Sequence, residues 1–374
     1  MNLFDKTARE KRREEKLLVA SQWRLIWWKF RKHKMAMIGG PVILFMYFIV
    51  LFCEFLSPYP PGDRFANYLD TRPHGIHFVH PERGFSLRPF VYGLESYRNP
   101  ETFRRTFIED RSVTYPLRFF VQGEPYKFWG LWESKLHLFG ADESPVFVMG
   151  TDRLGRDLFT RTLYGSRISL SIGLVGVALN FVLGLLLGGV SGYLGGLVDT
   201  AIQRVVDLLM SIPTLPLWMA LAAALPRDWP PLRIYFGIVV VLSLVGWTGL
   251  ARVVRGKLLA LREEDFVMAA RLSGSNNLRI IVNHLLPSFF SYIIVQLTMS
   301  IPSMILGETT LSFLGLGLQP PVVSWGVLLQ DAQNVQSIAH YPWQLIPVFF
   351  VVVTVLMFNF LGDGLRDAAD PYAR

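Results

Sequence analysis

The sequence predicts an all-α polytopic membrane protein of about six transmembrane helices, with one folded insertion of mixed structure after the first. Three observations predict it. Of 374 residues, 51% are hydrophobic and only 18% are charged, and the mean hydropathy of +0.34 is too apolar for a soluble globular chain. Six stretches, 36–56, 168–190, 202–225, 234–250, 289–306 and 345–361, each approach the roughly 20 residues that cross a hydrocarbon core. Between the first two, residues 57–148 are soluble in character yet dense in aromatics, a composition that suits a small folded module rather than a disordered linker.

The elements follow in order. Lys and Arg crowd residues 6–34 and hold the N-terminus in the cytoplasm. Trp23, Trp27 and Trp28 beside Arg24, Lys29 and Arg31 predict a helix lying on the inner leaflet. This basic region is too long for a cleavable signal, and no small-residue cleavage site follows the apolar run. The first span carries the lone Cys53, which allows no internal disulfide. Ser57-Pro58-Tyr59-Pro60-Pro61-Gly62 marks an abrupt exit into extended chain, and the alternation over 119–126 suggests a hairpin. In the second span Gly173, Gly176, Gly184, Gly188, Gly189 and Gly192 let neighbouring helices approach closely, so it lies inside a bundle. The third span is interrupted by Arg204, Asp207, Pro213 and Pro216.

Charge sets the topology. The net charge of +8 would suggest nucleic acid in a soluble protein, but here the short loops agree with one topology, and the many basic residues of 57–167 say little because loops beyond about 60 residues are weak topology evidence. The loop 252–286 holds Arg252, Arg255, Lys257, Arg262, Arg271 and Arg279 against Glu263, Glu264 and Asp265, whereas 309–343 has no Lys or Arg and falls outside. Both termini are then cytoplasmic. The boundaries are a basic N-terminus over 1–34, the first transmembrane helix over 35–57, an outer module over 58–149 and a core of five transmembrane helices over 150–374.

The loop is the most informative part of the chain. A short helix over 261–273 exposes Phe266, Ala269 and Ala270, side chains small enough for a partner's groove to approach the backbone, with Asp265 near its start. Gly274 suits the left-handed residue that ends a helix, and Pro287 suits the first turn of the next span. Glu308, a carboxylate at membrane depth, is a candidate to line a substrate path.

Met149-Gly150-Thr151-Asp152-Arg153-Leu154-Gly155-Arg156-Asp157, with Arg161, Leu163-Tyr164-Gly165 and Arg167-Ile168-Ser169-Leu170, resembles the segment before the second span in permeases of the dipeptide/oligopeptide class of ABC importers. The resemblance continues through Ser211-Ile212-Pro213, the loop above, Leu314-Gly315-Leu316-Gly317-Leu318, Ser324-Trp325-Gly326 and the tail Asp363-Gly364-Leu365-Arg366-Asp367 with Asp370-Pro371. Residues 30–60 also resemble the N-terminal segment of the family's C-type subunit. The resemblance implies a type I ABC importer permease bundle in a bacterial inner membrane. In that family the loop reads Glu-Ala-Ala, three residues, Gly, then nine before Ile-x-Leu-Pro. Here Met268 replaces the Glu and His284 the Ile, while Ala269, Ala270, Gly274, Leu286 and Pro287 match. The resemblance implies that the loop helix sits in a cleft of a cytoplasmic ATPase and passes its closure to the membrane helices. It also implies the partners: a second homologous permease chain, two cytoplasmic ATPase subunits or domains, and an external substrate-binding protein, with membrane lipid around them and no nucleic acid.

No catalytic, cofactor or metal site is expected. The chain has no G-x-x-x-x-G-K-[ST] loop: near Gly256-Lys257 the upstream glycine is missing at the needed spacing and Leu258 stands where Ser or Thr is required. ATP hydrolysis must then belong to another subunit. His74, His77 and His80 recur without neighbouring cysteines and do not read as a metal site. Asp152 and Asp157 beside Arg153 and Arg156 read as ion-paired loop residues, and neither Gly-x-Ser-x-Gly nor His-Glu-x-x-His occurs. The competing readings are an ATP-independent channel or secondary transporter, hinted at by Arg204, Asp207 and the Pro213/Pro216 break, and a non-transporting scaffold.

Overall fold

The computed structural model describes residues 22–369 apart from 81–83, 99, 101, 102, 104 and 142. The basic residues between 6 and 21 and the Asp370-Pro371 pair therefore lie outside the described residues.

The described residues open with the short helix α1 (Gln22–Phe30), then α2 (Lys34–Leu51) and one further turn, α3 (Cys53–Leu56). His33 caps α2 by accepting from Ala36 N–H at 3.1 Å. Five strands follow: β1 (His77–His80), β2 (Gly84–Arg98) and β3 (Arg105–Pro116) form one antiparallel sheet, and β4 (Arg118–Phe128) pairs with β5 (Trp132–Gly140) in a second. The expected hairpin over 119–126 is thus one strand of a longer hairpin, whose turn is Trp129-Gly130-Leu131, with Gly130 at φ +73°. The three histidines serve local contacts: His74 accepts from Phe147 N–H at 3.0 Å, and burial pushes its imidazole down to about 4, while His77 packs against Phe90 and Tyr92 and His80 against Phe90.

The core helices are α4 (Leu158–Leu194), α5 (Gly196–Ser211), α6 (Thr214–Ala223), α7 (Pro231–Leu261), α8 (Asp265–Leu272), α9 (Asn277–Ile280), a π-helical turn (Ile281–Leu285), α10 (Leu286–Ser288), α11 (Phe290–Phe313), α12 (Trp325–Ala332), α13 (Val335–His340) and α14 (Ile346–Ala369). Among the described residues five helical segments are long and apolar enough to cross a membrane, and α5 with α6 makes a sixth candidate bent by 90° where Pro213 interrupts the backbone ladder.

Packing decides whether that bent pair crosses. Along α4 and α7 the contacts rise together. Ser171 meets Tyr235, Gly176 meets Ser243, Gly188 meets Ala251 and Gly192 meets Arg255, so the two helices are parallel. A chain leaving the end of α4 must return to the opposite face before α7 can run parallel to it, and α5–α6 is the only connection. The pair is therefore the sixth crossing among the described residues. The glycines make this pairing possible: a Cβ at Gly188 would lie 2.5 Å from the Ala251 carbonyl oxygen, and one at Gly192 2.8 Å from that of Arg255. Between α2 and α14 the contacts run in opposite senses, Gly39 against Met357 and Ala36 against Gly364, so the two are antiparallel. The start of α2, the ends of α4, α7 and α14 and the start of α11 consequently share one face, with α8 among them.

Candidate coupling site

At that shared face α7 runs to Leu261, Arg262–Glu264 turn the chain, and α8 begins at Asp265, four residues later than expected from the sequence. Glu264 is extended at the N-cap position, and Asp265 puts a negative charge in the first turn, where the helix dipole favours it. Val267 and Ala270 are three apart and therefore share a side. Both point into an apolar cluster with Tyr193, Leu250, Val254, Leu258, Ile280, Leu285, Phe289 and Ile293. Phe266, Met268, Ala269 and Leu272 are left outward, Leu272 being 90% exposed. The expectation that Ala270 lines the exposed surface is therefore corrected: it is anchor, and Met268 and Leu272 join Phe266 and Ala269 on the free side.

The end of α8 is set by backbone chemistry. Gly274 has φ +76°, its N–H donates to Arg271 O at 3.0 Å, and Ser275 N–H donates to Ala270 O at 3.1 Å. These two bonds satisfy carbonyls that a helix end leaves open, and they require the left-handed residue that glycine adopts without strain. Asn276 then starts α9, its side chain accepting from Arg279 N–H at 2.8 Å. Pro287 also departs from expectation. It lies in α10, after the π-helical turn, and Phe289 at φ −127°, ψ 21° separates it from α11. The wider π-helical turn takes up an extra residue, so the proline sits one break before the span.

Beneath α8 the contacts lead into the bundle. Arg271 stacks over the Tyr193 ring at 5.5 Å, and Tyr193 Oη donates to Asn277 Oδ1 at 3.0 Å. One turn beyond Tyr193, Gly195 and Gly196 both have positive φ and let α5 depart from α4. Asp199 on α5 accepts from Arg255 Nε at 2.5 Å and Nη2 at 2.6 Å, and from Ser191 Oγ at 2.5 Å, while Arg252 pairs with Asp207 at 2.8 Å. Val267 and Ala270 of α8 thus share one cluster with Tyr193 of α4 and with Val254 and Leu258 of α7, the helix whose Arg255 binds α5. Neither Tyr193 nor Asp199 stood out in the sequence. The only available signal was an acid within an apolar stretch near a basic loop.

The opposite face holds the expected ion pairs, but in different company. Asp152 accepts from Arg156 Nε at 2.7 Å and from Arg161, and both arginines also reach Asp331 on α12, at 3.1 and 3.3 Å. Arg161 is 1% exposed. Asp157 is not ion-paired: it caps α4 by accepting from Thr160 N–H at 2.8 Å, and burial pushes its carboxyl up to about 7. Glu308 is wholly buried, and its carboxyl accepts from Ser312 and Ser324 at 2.8 and 2.7 Å and from Ser169 at 3.0 Å. It joins α4, α11 and α12 inside the chain, which corrects its expected place on a substrate path.

Residues 181–374 match the family described as binding-protein-dependent transport system inner membrane component, and residues 21–73 match the N-terminal TM domain of oligopeptide transport permease C. The chain is 43% identical over 226 residues to a dipeptide transport system permease protein (DppC) of Bacillus subtilis, covering 60% of this chain and 68% of that one. It is 37% identical over 244 residues to an oligopeptide transport system permease protein (OppC) of the same organism, covering 64% and 77%. It is 34% identical over 348 residues to a dipeptide permease protein of Lactococcus lactis, covering 93% and 90%, so that likeness extends across the outer strands. With the first match spanning more than half its length, and with six crossings around a helix presented at one face, the chain belongs to the family of binding-protein-dependent transport system inner membrane components.

Proposed function

We propose that this permease chain forms one half of the translocation pathway of an ATP-driven peptide importer, and that α8 is the element an ATPase subunit grips. Supporting the cargo class are the relatives, which are dipeptide and oligopeptide transport permeases. One observation carries the coupling role: α8 is fixed underneath by Val267, Ala270 and the Tyr193 contacts while its outward side is left uncovered. An exposed apolar patch held rigidly is what a docking surface requires. In this reading the face bearing α8 and both ends of the chain is cytoplasmic, and Asp265, Phe266, Ala269 and Gly274 form or shape the knob. Ala270 and Pro287 act from below it.

A second permease chain completes the pathway, two ATPase subunits or domains supply the energy, and a binding protein delivers cargo to the outer module over 58–149. The test is Gly274→Val in the reconstituted transporter. A β-branched side chain strains the left-handed turn, so ATP hydrolysis continues while peptide uptake per ATP falls severalfold. Unchanged coupling would contradict the assignment. Deleting residues 77–140 is expected to weaken delivery by the binding protein without preventing insertion, and normal uptake after the deletion would remove the outer module from the account.

A further inference from the structure

We propose that the tip of the β4–β5 hairpin is embedded in the bilayer leaflet opposite α8, and that the groove between this hairpin and the first span holds a phospholipid acyl chain. The contacts along the first span fix the depth. His137 on β5 hydrogen-bonds Ser57 O, and the Phe120 ring lies 6.2 Å from that of Phe55. Farther down, the Trp129 backbone N–H donates to Glu54 Oε1 at 3.1 Å, its indole N–H donates to Leu51 O at 2.9 Å, and Phe128 packs on Phe52 at 5.9 Å. From base to tip the hairpin therefore descends from Ser57 to Leu51, roughly 9 Å at 1.5 Å per helical residue.

Leu51 lies within the membrane by the span's own length. The crossing starts at Lys34, and a span needs roughly 20 residues, so the hydrocarbon boundary falls near Glu54. Glu54 is neutralised at that height: Arg167 binds it through two nitrogens, at 2.6 and 2.5 Å, and lies over the Trp129 ring at 4.3 Å. The tip is thus clamped at this depth rather than hanging from the sheet.

Its surface chemistry matches the position. Leu131 is 71% and Trp132 66% exposed, an arrangement costly at the end of a water-facing hairpin and ordinary at a membrane interface, where Trp collects. Beside the tip, Phe48, Phe52, Phe55, Tyr126, Phe128 and Trp132 line a groove of about 460 Å³. Phe48 also belongs to the exposed stripe of Leu44, Phe45 and Phe48, on the side of α2 turned away from the buried Ile43, Met46 and Val50. The groove is therefore continuous with the lipid-facing surface of a transmembrane span, and this continuity identifies its occupant as lipid. On the second rung above the turn Lys127 pairs with Glu133 at 3.6 Å, so the two charges beside the tip offset one another.

The test places a nitroxide label at Leu131→Cys in a Cys53→Ala background of the complete transporter in phospholipid nanodiscs. A second labelled variant, Leu44→Cys, serves as the membrane reference. Collision with oxygen and with a water-soluble nickel chelate is measured for each. The expected result is an oxygen-to-nickel ratio at Leu131 severalfold above that of a label in water and below that at the deeper Leu44. Free access of nickel would overturn the proposal by placing the tip in water, and shielding from both reagents would overturn it by showing that a protein partner covers the tip. Leu131 is exposed and unbonded through its side chain, so folding is not at risk. If labelling at Leu131 fails, Trp132→Cys carrying a fluorophore and quenched by lipids labelled along the acyl chain reads the same depth.

Discussion

At the face that carries α8, the chain is shaped by short-range bonds over an apolar footing. At the opposite face it is tied by charges far apart in sequence. Gly274, Ser275 and Asn276 complete their hydrogen bonds within five residues, and Val267 and Ala270 need only apolar neighbours. Arg161 and Arg156 meet Asp331 across 170 and 175 residues. The first arrangement keeps its shape while leaving a surface uncovered, which suits an element that must bind something else. The second ties its charges to one another across the chain, which suits a joint holding the loop before α4 against α12.

The largest effect is expected at the ionic joint. Arg161→Ala leaves Asp152 and Asp331 to share Arg156 alone and opens a hole where a wholly buried side chain stood, and losing one member of a buried ionic cluster costs up to about 3–5 kcal/mol. The purified complex should lose several degrees of unfolding midpoint while surviving transporters keep their ratio of uptake to ATP hydrolysed. A loss of coupling without loss of stability would erase the distinction between the two faces.

Asp157 at the same face works in the opposite sense. Its carboxyl sits at about 7 in the folded chain, above its usual 3.8, so the folded state favours the protonated acid. The associated stability is complete below about pH 4 and is lost as pH rises through 7. Asp157→Asn keeps a cap acceptor and cannot ionise. It should be more stable than the parent at pH 8, by up to roughly 4 kcal/mol, and the two should converge at low pH. Parallel unfolding curves at pH 5 and pH 8 would refute this.

At α8 the effects on stability are smaller and those on transport larger. Gly274→Val costs about 1–3 kcal/mol of local strain, with the global midpoint nearly unchanged and uptake per ATP reduced. Leu272→Ala removes an exposed side chain, so stability should change by less than about 0.5 kcal/mol while affinity for the ATPase subunit falls, read by titration in detergent. Equal affinity would move the gripped surface elsewhere on the loop.

The same contrast explains what could be read from the residues alone. Six crossings, the glycine-lined second span and the left-handed Gly274 all follow from local composition or from periodicity, and each has a local physical cause. The inward turn of Ala270 was within reach as well, since Val267 three residues earlier shares its side. Asp331 as partner of Arg161, the three serines around Glu308 and the Glu54–Arg167–Trp129 clamp were not legible. Each joins residues that only the packed bundle brings together, and no spacing rule connects them.

The most direct test of α8 as the gripped knob is labelling of Leu272→Cys, in a Cys53→Ala background, with a membrane-impermeant maleimide in oriented vesicles. The account predicts labelling in inside-out vesicles stripped of ATPase, protection when the ATPase subunits are restored, and no labelling in right-side-out vesicles. Labelling from the outer side, or equal labelling with and without the ATPase, would contradict it.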